Sequence, residues 1–497
     1  MNAPRNIKLL RFLPLLWTGL VAIVLCWLFW DRGYDDPYIT YRYAVNLAHG
    51  AGFVYNTSER VLSTTTPLYT LVLAGAGLAG LDVPQTSNAI GCLSLALGGL
   101  AIWRLGQEWQ APLVGIGGLL LYPTFPLAIA TLGAETALYL ALILFGFLAC
   151  AREQLGRAAV LLALATLTRA DGTLAVAAAG LFVLLVWRRW PWRALAIYCM
   201  VLAPWFVFAW LYFGALLPAT LATKQQQGQM AISRGFLDGL AAQAQAYWGI
   251  PLFRLHFVLA AVGLFSLLAR QRRWLLLPGW NVLYILAYMA LGVSGYFWYY
   301  APLVIGFVAL AGLGIAAVHR FVEGRGGPRW AAGVGAALLL ALCVAQASTL
   351  ISLRRTPDSR LEIYRSVGEW LRDGVPADAS VGTLEVGIIG YYAQRRMIDF
   401  AGLIQPETAL RLTTNSTYQD AALWAVHHFH PDYLVLQEHL YGGLEADVAV
   451  RTSCRSVETF ATPTYPYQLA IYRCVWSGAR SHNRQKVLTI NFLYTAS

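Results

Sequence analysis

The stretch Phe12–Trp30 runs for 19 residues without a charged side chain, and runs like it recur near 84–103, 111–128, 135–151, 194–213, 252–269, 274–292, 299–318 and 330–351. At about 1.5 Å per residue, a helix of that length covers the roughly 30 Å core of a bilayer. Backbone groups in lipid must be satisfied within the segment, so a chain repeating such runs is expected to be an α-helical polytopic membrane protein. Composition agrees: 58% of the 497 residues are apolar and 12% charged, where soluble domains carry about 25% charged residues. A soluble multidomain chain and a disordered one are excluded. With only 7 cysteines, so is a small disulfide scaffold.

The net charge of +11 is unevenly placed. Residues 352–497 hold 14 basic and 14 acidic side chains, so the whole excess lies in residues 1–351, in short clusters between apolar runs. That pattern speaks for membrane topology and against a nucleic-acid partner. Arg5, Lys8 and Arg11 before the first run place the N-terminus in the cytoplasm; the run's length and the lack of a small-residue cleavage site favour a retained span over a signal peptide.

The segment from Ala158 to Trp187 is interrupted by Arg169-Ala170-Asp171-Gly172, and its first half, 11 residues, is too short to cross. Read as two short helices turning within the membrane, it keeps Arg188, Arg189 and Arg193 inside. The expectation is about eleven transmembrane helices, with inner loops carrying 15 Lys/Arg against 3 acids and outer loops before residue 352 carrying 7 against 8. The short apolar segment Pro67–Leu81 reads as a surface helix within a structured first outer loop, 31–83.

Beyond the membrane module, 1–351, the texture changes. Ser380-Val-Gly-Thr-Leu and Tyr433-Leu-Val-Leu read as strands, Leu361–Arg372 and Gln419–His428 as helices, which predicts a C-terminal extracytoplasmic α/β domain over 352–497. Cys454 and Cys474 lie beside strand-like segments in an oxidising compartment, where a disulfide can form. His427, His428 and His430 have the look of a metal cluster but fall on or near an amphipathic helix.

Ionisable residues near membrane depth are functional candidates. Asp35-Asp36 follows the first span and opens an aromatic stretch. Such a pair can act as general base or bind a divalent ion, or can simply be a solvated helix start. Glu135 begins a span on the same outer side, with the same two readings. Arg169 and Asp171 sit at the hairpin tip, where they either line a cavity or merely close the turn. Lys224 is a cation that can hold a phosphate or snorkel. Tyr38 and Arg42 lie one turn apart and are expected to share a pocket.

These residues lie in segments with a family likeness. Tyr34-Asp-Asp-Pro-Tyr-Ile-Thr-Tyr-Arg-Tyr and onward to Asn56 resembles the first outer loop of GT-C glycosyltransferases, nearest to the arabinofuranosyltransferase-like branch. Thr65-Thr-Pro-Leu-Tyr, Gly133-Ala-Glu-Thr-Ala, Thr168-Arg-Ala-Asp-Gly, Leu217-Pro-Ala-Thr-Leu-Ala-Thr-Lys and Ser380–Leu403 are similar to further family segments, in the same order. Ala170 and Ala219 stand where the family has Pro and Asn.

The resemblance implies a sugar donor on a polyprenyl phosphate, an envelope glycan or glycolipid as acceptor, and inversion, at the outer face of the plasma membrane. By the same resemblance Asp35, Asp36 and Glu135 are catalytic, Arg169 and Lys224 hold the donor phosphate, and Tyr38, Arg42, Asp171, Glu385 and Tyr391 bind substrate. A lipid-linked glycan transporter and a non-catalytic glycan-binding protein are the rival classes. Against the transporter, the two halves hold no internal repeat.

Overall fold

The computed structural model of the chain describes residues 12–57 and 59–476. The basic flank Arg5, Lys8 and Arg11 lies outside the described residues. All eleven apolar segments are helical, the third broken at Tyr122–Phe125 between Pro112–Leu121 and Pro126–Ala130. Among the described residues seven helices are long and apolar enough to cross a membrane, and Leu13–Phe29, Thr136–Ala151, Leu155–Thr168 and Gly172–Trp187 are shorter apolar helices. Pro67–Leu78 is a separate short helix, started by its proline.

Two compact units emerge, and neither is continuous in sequence. The first takes the chain up to Tyr41, Thr65–Ala203 and Ser233–Asp358; the second takes Arg42–Thr64, Pro204–Ile232 and the chain from Ser359. The helix Asp35–Ala48 therefore contributes to both.

The first unit is a helical bundle. Val83–Glu108 packs against Leu13–Phe29, Pro112–Leu121 and Thr136–Ala151, and Arg254–Arg270 packs against Val304–Gly326. The latter pair approaches so closely that a Cβ at Gly263 would strike the Leu310 carbonyl and one at Gly314 the Leu259 carbonyl. Small residues at such crossings are what lipid-embedded helices use to gain van der Waals contact. Trp27, Leu211, Phe265 and Leu340 are exposed on this chain, the pattern of side chains that face lipid rather than water.

The second unit is built on a five-stranded sheet of order β2-β1-β3-β5-β4, with β1 Ser380–Thr383, β2 Arg396–Asp399, β3 Tyr433–Gln437, β4 Cys454–Thr462 and β5 Tyr465–Cys474. Strands β1, β2 and β3 run parallel; β5 is antiparallel to β3 and β4. Cys454 and Cys474 sit opposite one another in the β4–β5 register and are joined by a disulfide. The edge strand β2 is closed by Asn56, whose side-chain amide both donates to the Met397 carbonyl and accepts from the Met397 N–H at 2.9 Å, copying a ladder pair and leaving that edge unavailable to another chain.

Candidate active site

The helix Leu155–Thr168 ends where Arg169 turns extended (φ −152°, ψ 132°), and the next helix begins at Gly172. The turn is tight: a Cβ on Gly172 would lie 2.6 Å from the Thr166 nitrogen. That closeness explains a glycine after the acid and turns the Arg169 side chain inward, 7% exposed.

Arg169 meets Asp171 through two nitrogens, Nε at 3.3 Å and Nη2 at 2.9 Å, and reaches Glu135 at 3.5 Å through Nη1. It also donates to Thr136 Oγ1 at 3.3 Å and to the hydroxyls of Tyr284 (3.3 Å) and Tyr288 (3.0 Å). Tyr288 in turn donates to Asp171 at 2.8 Å. Every guanidinium nitrogen is engaged. Arg169 is thus the hub that orients two carboxylates, and two phenols stand in for the water that burial removes.

The acid pair is carried to the same unit by a second network. The Tyr41 hydroxyl, on the helix that Asp35 opens, donates to the Gly133 carbonyl, two residues before Glu135. Ser87 donates to that carbonyl as well, at 2.6 Å, and Asn88 bonds the Trp30 and Arg32 carbonyls at 2.7 Å. The loop before Asp35 and the loop before Glu135 are so tied to one helix, Val83–Glu108. Asp35 is buried and Asp36 half-buried. Asp36, Arg169 and Asp171 are the charged groups that act on Glu135. An aromatic wall adjoins: Tyr34 stacks on Trp298 with centroids 5.4 Å apart and meets Phe297 edge-on at 5.3 Å. Tyr38 is buried, its ring 4.8 Å from Tyr41.

Of the residues singled out in the sequence, Asp35, Asp36, Tyr38, Glu135, Arg169 and Asp171 belong to the first unit; Arg42, Lys224, Glu385 and Tyr391 belong to the second. Arg42 lies among backbone carbonyls of the second unit. It is 6% exposed and donates to the backbone carbonyls of Tyr55 (3.0 Å), Gly390 and Arg395, with its guanidinium over the Tyr55 ring. Those bonds tie the segment that follows Arg42 to the sheet of the same unit.

Lys224 lies on the helix Ala219–Gln229, whose Thr223 and Gln227 bond the carbonyls of Gly402 (3.0 Å) and Ala401 (3.1 Å). That 399–404 turn is organised by buried Asp399, which accepts from the N–H groups of Ala401 at 2.7 Å and Ile404 at 2.9 Å. Burial pushes the Asp399 carboxyl up to about 6, against the pull of those N–H bonds. Glu385 follows β1, and Tyr391, on the short helix Ile388–Ala393, meets Tyr392 edge-on at 5.1 Å.

Tyr284 and Tyr288 were not anticipated. Their signal was present: two phenols four residues apart within the apolar run Leu276–Leu291, whose hydroxyls need partners in lipid. Among the described residues no group of three or more His, Cys, Asp or Glu side chains is placed to hold a metal. His427 instead pairs with Asp447 at 3.2 Å, and the ring of His428 stacks on Trp424.

With this geometry in hand, known proteins can be compared. Residues 354–480 match a family described as "Domain of unknown function (DUF8728)". Over 292 residues the chain is 26% identical to the terminal β-(1→2)-arabinofuranosyltransferase of Mycobacterium tuberculosis (strain ATCC 25618 / H37Rv), an alignment covering 53% of this chain. It spans about half, 46%, of that relative's length. Among solved structures, ArnT from Cupriavidus metallidurans bound to undecaprenyl phosphate superimposes with a TM-score of 0.59 at 14% identity, covering 92% of this chain and 97% of that one. The oligosaccharyltransferase AglB from Archaeoglobus fulgidus, in complex with an inhibitory peptide and a dolichol-phosphate, gives 0.52 at 13% identity over 94% and 75%.

Proposed function

We propose that this chain, a polytopic membrane protein of GT-C fold with an arabinofuranosyltransferase-like sequence, is a glycosyltransferase. It moves a sugar from a polyprenyl-phosphate donor to a hydroxyl of an envelope glycan or glycolipid at the outer face of the membrane. The N-terminus lies in the cytoplasm and the sheet domain outside. The observation that carries this reading is the buried carboxylate–arginine–phenol cluster at the hairpin break, in the same compact unit as Asp35-Asp36. The bound lipid phosphates in the ArnT and AglB structures support a donor of that class.

In the reaction, the acceptor hydroxyl attacks the anomeric carbon from the face opposite the phosphate. A new glycosidic C–O bond forms, the C–O bond to phosphate breaks, and polyprenyl phosphate leaves with the electron pair, inverting the centre. Asp36, the less buried of the acid pair, takes the hydroxyl proton, a step worth roughly 10²–10⁴-fold. Asp35 and Glu135 orient the acceptor. Arg169 is a positioning residue for Glu135 and Asp171, and its charge offsets negative charge growing on the leaving phosphate. Lys224 is assigned to that phosphate from the family likeness. Tyr38 and the Tyr34 wall offer apolar faces to a sugar ring.

The test is transfer from a synthetic polyprenyl-phosphate arabinofuranose, with purified protein in nanodiscs and a panel of envelope glycans. Asp36→Asn is expected to lower turnover at least a hundredfold with donor binding retained. Wild-type turnover in both Asp35→Asn and Asp36→Asn would remove the catalytic assignment. Donor binding with no turnover in the wild-type protein, across the whole panel, would favour the non-catalytic glycan-binding protein.

A further inference from the structure

The helices Leu155–Thr168 and Trp192–Phe213 begin at the same end of the helical unit, because the turn at Arg169 and the link 188–191 return the chain to it. They pack through Ala159, Ala163, Tyr198 and Leu202, and the Thr166 and Tyr198 hydroxyls share a hydrogen bond at 3.1 Å. Nearer their starts an open groove of about 650 Å³ runs between them, lined by Gly156, Arg157, Val160, Leu161 and Ile197. Gly156 keeps its floor low, since a Cβ there would already touch Ile197 Cδ1 at 3.4 Å. Four of the five lining positions are apolar, and the volume suits a site that takes one small apolar ligand, roughly 300–1,000 Å³. On two apolar membrane helices, such a groove opens toward acyl chains.

The charge around the groove is one-sided. Arg157 lies one turn before Leu161 and Arg193 one turn before Ile197, so each wall carries a cation on the groove's own face, at the same end. Arg157 is exposed and donates to Gln154 Oε1 at 2.9 Å. Arg188 and Arg189 in the link are exposed as well. The neighbouring acids are Glu153 and Glu108, the latter paired with Arg152 at 2.6 Å. Both helix starts add the partial positive charge of their free N–H groups. Trp190 and Trp192, 65% and 64% exposed, stack with centroids 5.2 Å apart. Exposed indoles belong at the headgroup level of a bilayer, which sets Arg193, the next residue, at that depth.

We propose that this groove binds one anionic phospholipid, its acyl chain along Val160, Leu161 and Ile197 and its phosphate between Arg157 and Arg193. A helix of a second protein would bring apolar surface but no fixed anion for two arginines; an anionic lipid supplies chain and charge together. At 1.5 Å per residue the headgroup end lies about 18 Å along the helix from Arg169. The site is thus separate from the carboxylate cluster, and it does not depend on the glycosyltransferase reading.

The full-length protein in detergent is titrated with dioleoyl phosphatidylglycerol, dioleoyl phosphatidylcholine or inorganic phosphate, and the first bound molecule is read by native mass spectrometry. Wild type is expected to bind phosphatidylglycerol about tenfold or more tighter than phosphatidylcholine. Arg157→Gln with Arg193→Gln should abolish that preference. Arg325→Gln with Arg329→Gln, which removes two exposed arginines elsewhere, should keep it. Val160→Trp fills the groove from a position already 38% exposed. It should weaken the first phosphatidylglycerol about tenfold and leave thermal unfolding of the lipid-free protein unchanged. Equal affinity for the two lipids, a preference that survives loss of Arg157 and Arg193, or one lost equally without Arg325 and Arg329, overturns the site in favour of general surface charge. Displacement of phosphatidylglycerol by inorganic phosphate overturns the lipid as occupant. Binding untouched by Val160→Trp overturns the groove, and leaves the headgroup on an open surface.

Discussion

Arg169 and Arg42 are buried to the same degree, 7% and 6% exposed, and each uses all its guanidinium nitrogens. Their partners differ in kind. Arg169 holds two carboxylates and two phenols, groups that carry charge or exchange protons. Arg42 holds three backbone carbonyls, groups that can do neither. Burial of a charge therefore does not by itself mark chemistry. A buried cation among titratable partners makes a site, whereas one among peptide carbonyls makes a joint. The same division runs through the segment Tyr34–Asn56. Its first part, with Asp35, Asp36 and Tyr41, belongs to the helical unit, and from Arg42 onward it belongs to the second unit, where Arg42 and Asn56 bond the Gly390 and Met397 carbonyls.

Substitutions can break this contrast. Arg169→Met would strand two carboxylates in a buried place, and removing one partner of a buried pair typically costs about 3–5 kcal/mol. The expected result is loss of transfer together with a large drop in thermal unfolding of the helical unit. Retained transfer would make the cluster a mere turn closure.

In the second unit the effect next in size comes from Asp399. Its folded value of about 6 lies above the unfolded 3.8, so the folded state holds the proton more tightly between those values. This group's contribution is therefore most favourable below about pH 4 and is lost as pH rises through 6, on the order of 3 kcal/mol. Asp399→Asn should flatten the unfolding-versus-pH profile in that window, and an unchanged profile would assign the slope to other groups.

Arg42→Met should destabilise the sheet domain by about 2 kcal/mol through unpaired carbonyls. Donor affinity measured below the unfolding transition should stay as in wild type. A selective loss of donor affinity with normal unfolding would return Arg42 to the substrate-binding set. Tyr288→Phe, the mildest change, removes one bond to Asp171 and one to Arg169 and should cost about 1 kcal/mol. Because Tyr288 positions rather than reacts, the pH profile of turnover should move while KM for the donor holds. A fall in turnover alone, with the profile fixed, would argue for a packing role.

Much of the helical unit was legible in advance because span length and charge placement are local properties of the chain. The break at Arg169–Gly172 was readable for the same reason: a charge pair after too short an apolar run cannot lie in an unbroken span. In the sheet domain the strands β1 and β3 and their two helices followed from alternation, whereas the strand-like flanks of Cys454 and Cys474 left the bridge open and the β4–β5 register decided it. That Arg42 meets peptide carbonyls was not legible, because those partners lie up to 353 residues away and have no sequence signature. Tyr284 and Tyr288 were passed over because a tyrosine in an apolar run reads as membrane-interface aromatic until its hydroxyl is seen to have a partner.

What the sequence alone determined is the solvent each segment must face, since hydrophobic length, charge spacing and residue period are written along the chain. Only the tertiary structure decided which polar groups meet once water is excluded: that Arg169 faces carboxylates and that Arg42 faces carbonyls. The reason is that a buried hydrogen bond depends on angle and distance between remote atoms, and those are set by packing rather than by order in the chain.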